Sequence, residues 1–251
     1  MEIIISSESI NTTKKAAEKG TTLIQDAINL TGKARIILAT GTSQIAMLAE
    51  LISQNIDWNR VTAFHLDEYI GLDESHPASF AKYLKDIFTN LLPLKSFYHI
   101  DGKANPEAEC KRLNDLISSS PVDVAFIGIG ENGHLAFNDP PADFKTEDPY
   151  KIVKLDDACR RQQVSEGWFI LFDDVPRMAI SMPVKQIMKS KSIICTVPDK
   201  RKALAVKKAL EGEITPNLPA SNLQNHPDLW LYLDSESASL LRNSHNMDRL
   251  K

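Results

Sequence analysis

Three groups of residues in this chain have types and spacing suited to chemistry. The first is Gly128-x-Gly130-x-x-Gly133, followed by His134 and then Asp139. Glycines let a backbone approach a ligand closely, so Gly130 is a candidate for the floor of a binding site. Imidazole suits proton transfer near neutral pH. His134 is flanked by Asn132 and Asp139, and a carboxylate that orients a histidine and fixes its tautomer is a common active-site device. The second group is Asp67-Glu68, directly after the apolar run Val61–His65. One carboxylate there could be a general base, or an acid that caps the next segment. The third is Thr40-Gly41-Thr42-Ser43. Helix-start amides, a glycine and hydroxyls make a phosphate cradle, or simply an ordinary capped helix start. Lys200, Arg201 and Lys202, with Arg160 and Arg161, supply cations. Each reads as a solvated charge or as the partner of a phosphate held at Gly41–Ser43. No serine or cysteine has the local signature of a nucleophile.

The glycine spacing invites a dinucleotide reading, which the neighbouring residues oppose. That fingerprint needs a helix to open on the glycines, whereas Pro140-Pro141 follows within a turn or two and proline disfavours such a helix. The Thr40–Ser43 loop lacks the Gly-Lys-Ser/Thr ending of a P-loop.

Elements must carry these groups to one place. Apolar runs at Ile3–Ser6, Ala34–Ala39, Val61–His65, Val122–Ile127, Ser192–Val197 and Leu229–Leu233 read as strands. Amphipathic stretches read as helices over Thr13–Leu30 (capped by Asn11 or Thr12), Gln44–Gln54, Pro77–Leu91, Pro106–Ile117 and Lys200–Leu210. Alternation of this kind predicts a parallel sheet between helices, a single three-layer α/β/α Rossmann-like domain over residues 1–251. The weakly patterned stretch from about Pro140 to Arg177 is expected to be a lid or an inserted hairpin, and the tail from Ser244 to fray. Loops Thr40–Ser43, Leu66–Tyr69, Gly128–Asp139 and Pro198–Lys202 would all leave the carboxyl ends of strands, where open α/β sheets bind ligands.

Bulk properties narrow the class. The chain has 251 residues, 43% hydrophobic and 25% charged, with a net charge of -4. That balance opposes general nucleic-acid binding. Cys110, Cys159 and Cys195 form no Cys-x-x-Cys pair, which suits a reducing cytoplasm and offers no zinc site. The N-terminal residues do not read as a signal peptide, and no apolar run approaches a membrane span.

Leu66-Asp67-Glu68-Tyr69-Ile70-Gly71-Leu72, His76-Pro77-Ala78-Ser79-Phe80 and Gly128 through Pro140 resemble the glucosamine-6-phosphate deaminase/isomerase family. Thr40–Ser43, Lys202-Ala203-Leu204-Ala205 and Leu223 through Pro227 extend the resemblance over most of the chain. It implies a Rossmann-like fold and conversion of an amino-sugar 6-phosphate to a ketose 6-phosphate and ammonia, without metal or organic cofactor. It further implies that Asp67 moves the proton between C2 and C1, that His134 opens the pyranose ring, that Asp139 orients His134, and that Asn132 stands beside them. Gly41, Thr42, Ser43 and Lys202 would hold the phosphate of a small-molecule sugar phosphate. An assembly of identical chains stays open.

The chain departs from the family at three points. Asp139 stands where many members have glutamate. The stretch Cys159 through Phe169 carries no arginine where members hold the phosphate, leaving Arg160 or Arg161 as substitutes. Ala142-Asp143-Phe144 replaces the residues of an allosteric sugar-phosphate site, so none is expected. Galactosamine 6-phosphate therefore stands beside glucosamine 6-phosphate as substrate. The alternatives are a 6-phosphogluconolactonase-type hydrolase, disfavoured by Phe137-Asn138 and Tyr69, and a non-catalytic sugar-phosphate sensor.

Overall fold

The computed structural model describes residues 1–242, the side chain of Thr42 excepted; His245 and the tail from Ser244 lie outside the described residues. Along the chain run β1 (Glu2–Ser6), α1 (Ser9–Thr31), β2 (Ala34–Leu38), α2 (Thr42–Ile52), β3 (Val61–His65), β4 (Asp67–Tyr69), α3 (Phe80–Ile87), β5 (Ser96–Tyr98) and α4 (Pro106–Ser118). Then follow β6 (Val124–Ile127), β7 (Lys151–Lys154), α5 (Asp157–Ser165), β8 (Met178–Ser181), α6 (Val184–Ile187), β9 (Ser192–Val197), α7 (Ala203–Glu211) and β10 (Leu229–Asp234).

Seven strands form one parallel sheet in the order β1-β10-β9-β6-β2-β3-β5. Successive residues of a strand face opposite sides, and here both sides are buried. Ile36, Leu38, Val124 and Phe126 pack beneath α1, α2 and α3. Ile37, Ala125, Ile127, Ile193 and Cys195 pack beneath α4, α6 and α7. This is why the strands read as unbroken apolar runs, the pattern of a sheet covered on both faces. The chain leaves β2 for β3 on one side and later returns as β6 on the other. The strand order thus reverses between β2 and β6, and a crevice opens beyond their carboxyl ends.

A second, antiparallel sheet of order β4-β8-β7 stands beside that crevice. The stretch expected as a lid or hairpin supplies β7 and α5, and β8 follows directly after it. The strands of this sheet are only three or four residues long, too short to show a period in sequence. Three helix starts also differ from expectation. α1 begins at Ser9 with Glu8 in the cap position and no side-chain cap; Thr12 lies inside it and donates its hydroxyl to Leu233 O at 3.2 Å. Pro77 lies before α3, whose true cap is Ser79, its Oγ accepting from Lys82 N–H at 3.2 Å. The run Lys200–Lys202 is a 3₁₀ turn, and α7 begins only at Ala203. No helix among the described residues is long and apolar enough to cross a membrane.

Gly20, mid-way along α1, lets that helix sit directly on the sheet: a Cβ there would lie 2.5 Å from the Phe126 ring of β6 and 3.8 Å from Leu51 of α2. Alanine normally stabilises a helix interior relative to glycine by about 1 kcal/mol. Here overpacking against β6 opposes that gain. Gly20→Ala is expected to lower unfolding free energy by about 1–3 kcal/mol in urea titrations; a more stable variant would show that the contact yields.

Candidate active site

The loops after β2, β3, β6 and β9 meet around one cleft, open to solvent. Gly41, Ser43, Asp67, Gly130, His134 and Lys202 all line it. These six come from four loops or turns because the parallel strands all end at the same edge.

At one end Gly41 precedes α2 with φ +105°, a conformation that side chains with a Cβ rarely adopt. It turns the chain so that the first amides of α2 and Ser43 come to the cleft. Such amides lack partners within their helix and favour an anion. Gln44 fixes this turn. It is fully buried, and its Nε2 donates to Thr196 Oγ1 at 2.9 Å and Ile127 O at 3.3 Å, tying α2 to the ends of β9 and β6. Lys202 faces the same end. Arg201 pairs with Asp199 and Glu131 at 2.7 and 3.2 Å, whereas Lys202 makes no ion pair among the described residues. Lys202 is only 8% exposed, and burial lowers its pKa. A buried ammonium without a carboxylate partner is costly unless an anion joins it.

Adjacent carboxylates divide their work at the β3–β4 bend. Glu68 accepts from Ala81 N–H at 2.7 Å, Ser79 Oγ–H at 2.8 Å and Tyr69 N–H at 2.9 Å. It therefore caps α3, the structural alternative foreseen for one of the pair. Asp67 instead faces the cleft. Its neighbours, Leu66, Phe80 and Phe137, are apolar, and it is 5% exposed. Burial first, then the charge of Glu68, pushes its pKa up to about 8. A carboxylate so destabilised is a stronger base than one in water.

His134 is held by Asn132. One oxygen, Asn132 Oδ1, accepts from the His134 backbone N–H at 3.0 Å and lies 2.7 Å from His134 Nδ1. A backbone N–H can only donate, so that atom is the amide oxygen and Nδ1 carries the proton. Nε2 is left bare. Burial, with Lys202 nearby, lowers the imidazole pKa to about 4, so the ring is neutral at pH 7 and Nε2 is a base. Gly130 gives the ring its seat, since a Cβ there would stand 2.3 Å from it. Asp139, expected to orient His134, stops 3.8 Å short of Nδ1. Its Oδ2 accepts from Asp156 N–H at 3.2 Å, its Oδ1 is buried without a partner, and burial pushes its pKa up to about 6. Direct orientation of His134 thus falls to Asn132.

Arg160 is not brought to the cleft. It is 3% exposed on the far side of α5, donating to Phe172 O and Val175 O at 2.9 and 3.0 Å and lying over the Phe172 ring. Its charge anchors the segment after α5 to the helix. Nothing is described of the Thr42 side chain. Sequence reasoning missed four lining residues, Gln162, Gln163, Glu166 and Trp168. They come from α5 and the turn after it. Their signal was slight: Asp156 as a cap, whose Oδ1 accepts from Cys159 N–H at 2.6 Å, and Gly167 at φ +83° as a stop. Behind them Tyr69, Phe80, Phe137 and Phe169 form an aromatic wall with centroids 4.9–5.7 Å apart.

The chain has clear relatives. A family model described as glucosamine-6-phosphate isomerases/6-phosphogluconolactonase matches residues 7–231. Glucosamine-6-phosphate deaminase of Streptococcus pneumoniae (strain 70585) is 40% identical over 205 residues, 81% of this chain and 86% of that protein. The same enzyme of Listeria monocytogenes is 37% identical over 242 residues, 96% of this chain and 100% of that one. The solved structure of a monomeric glucosamine-6-phosphate deaminase superposes with a TM-score of 0.87 at 32% identity, over 96% of this chain and 100% of that one. A 6-phosphogluconolactonase of Thermotoga maritima reaches 0.77 at 15% identity, over 93% and 99%; at that identity only the fold is shared.

The raised pKa of Asp67 sets a sign for stability. Between its unfolded value near 4 and its folded value of about 8 the folded chain holds the extra proton, so stability from this group is full below pH 4 and is lost as pH rises through 8. Asn cannot ionise. Asp67→Asn should therefore match the wild type near pH 4 and exceed it by a few kcal/mol at pH 9, measured as unfolding free energy at each pH. A difference independent of pH would place the folded pKa near the ordinary carboxylate value.

Proposed function

The chain belongs to the glucosamine-6-phosphate isomerase/6-phosphogluconolactonase family, and from that premise we propose that it deaminates and isomerises an amino-sugar 6-phosphate to a ketose 6-phosphate and ammonia. One observation carries the reading. A single cleft holds an unpaired buried ammonium at one end and two bases, the Asp67 carboxylate and His134 Nε2, at the other. The first suits a phosphate, and the others suit proton transfers on a sugar.

The steps follow from these groups. Lys202, Ser43 and the α2 amides bind the phosphate, and that remote contact positions the reacting carbons. His134 Nε2 takes the proton of the C1 hydroxyl and returns it to the ring oxygen as the pyranose opens. Asp67, ionised, removes the proton from C2 of the open aldose and delivers it to C1, while one proton of the C2 ammonium passes to the C1 oxygen. The C2 nitrogen becomes an imine, water adds to C2, and ammonia leaves. A substrate ammonium beside Asp67 favours its ionised form, offsetting the burial that raises its pKa. Galactosamine 6-phosphate is proposed as a substrate alongside glucosamine 6-phosphate, since α5 carries no arginine to the cleft. The three buried free cysteines suit a cytoplasmic setting.

Ammonia release is expected from glucosamine 6-phosphate or its galacto epimer, with no comparable hydrolysis of 6-phosphogluconolactone. Lactone turnover without ammonia would instead assign the hydrolase, and binding without turnover a sensor. Asp67→Asn should abolish exchange of the C2 proton with solvent while inorganic phosphate still binds. Lys202→Ala should raise both KM and the inhibition constant of inorganic phosphate about 10- to 100-fold, the worth of a charge-assisted hydrogen bond. Unchanged constants would remove Lys202 from the phosphate site.

A further inference from the structure

The α5 side of the cleft carries acceptors. Gln162 and Glu166, both lining the cleft, are joined by a bond of 2.7 Å from Gln162 Nε2 to Glu166 Oε1. Trp168 Nε1–H, which can only donate, points at Glu166 Oε2 at 3.3 Å. An ionised carboxylate only accepts. The atom of Gln162 that meets Glu166 is therefore the amide nitrogen, and Gln162 Oε1 is the end left over. Among the described residues Gln162 Oε1 has no hydrogen-bond partner in the protein, unlike the neighbouring Gln163, whose Oε1 accepts from Tyr69 Oη–H at 2.7 Å.

The cleft is thus bipolar. Its strand-end wall offers donors, namely Lys202, Ser43 and the first amides of α2. Its α5 wall offers an oriented carbonyl backed by a carboxylate. A phosphate fits the first wall and is repelled by the second. Hydroxyl groups, each able to donate, fit the second. We infer that Gln162, held by Glu166, is a specificity residue whose Oε1 accepts a hydrogen bond from a hydroxyl of the sugar, and that α5 binds the sugar's carbons 3 to 5 rather than its phosphate. The inference rests on the amino-sugar-phosphate reading above. Glu166 acts through Gln162 as a positioning residue: with a carboxylate there the amide can be held in one orientation only, whereas a second amide would allow both.

Gln162→Leu removes the acceptor from a half-buried helix position. KM for the amino-sugar phosphate should rise about 10- to 100-fold, as for a lost bond of about 1–3 kcal/mol. The inhibition constant of inorganic phosphate, which has no sugar, should stay within twofold. Glu166→Gln should give a smaller rise in KM, and adding it to Gln162→Leu should give no further rise, because the two act as one unit. Gln162→Met, closer in volume, serves if the leucine variant folds poorly. An unchanged KM would overturn the inference, as would a phosphate inhibition constant that rises in step with KM, or additive effects of the two substitutions. If the wild type releases no ammonia from either epimer, the functional reading fails first; the inference fails alone when the wild type is active and Gln162→Leu has the same KM.

Discussion

The site depends on keeping two ionisable groups of opposite sign out of water at one sheet edge without letting them meet. Asp67 and Lys202 are both nearly buried, and they form no ion pair with each other or with any other described residue. Pairing would quench both. Leaving them apart costs free energy, since burial disfavours each charged form. The cost is sustained by the apolar packing on both faces of the sheet, where Ile36, Leu38 and Phe126 on one side and Ile37, Ala125 and Ile193 on the other are wholly inaccessible. Each isoleucine, leucine or phenylalanine among them contributes roughly 1.5–3 kcal/mol, so a few of them offset a buried carboxylate. Stability is traded for a base and a cation that only a bound ligand satisfies.

Hydrogen bonds of side-chain amides do the positioning. Gln44 locks the phosphate-end turn to β6 and β9, Asn132 fixes the tautomer of His134, and Gln162 is fixed by Glu166. In each case the direction of the bond is forced by a partner that can only donate or only accept. Neutral groups hold geometry without adding charge. Asn132 leaves His134 with a low pKa where an adjacent aspartate would raise it. The shorter Asp139, 3.8 Å away, is consistent with the same division: it fills space behind the histidine and receives Asp156 N–H.

Much of this was legible in the residues. Six strands of the large sheet announced themselves as apolar runs, and all four loops at their ends proved to converge. The resemblance to the deaminase/isomerase family rested on Asp67-Glu68-Tyr69 and on Gly133-His134 through Asn138, and the family model and relatives bear it out. The short strands β4, β5, β7 and β8 were not legible: three or four residues carry no decisive period. α5 was hidden because its polar residues face a cleft rather than a core.

The sequence by itself determined the residue types and their order along the chain: which strands are apolar throughout, which loop holds glycines, and which family motif they compose. Those facts follow from periodicity and covalent spacing, which are local. Only the tertiary structure decided how the residues are used. It separated Asp67 from Glu68, sending one to the cleft and the other to the start of α3. It gave the histidine to Asn132 rather than to Asp139, turned Arg160 away from the cleft, and set Gln162 against Glu166. These choices depend on distances between segments far apart in the chain and on which groups lose their water, and neither is fixed until both faces of the sheet are packed.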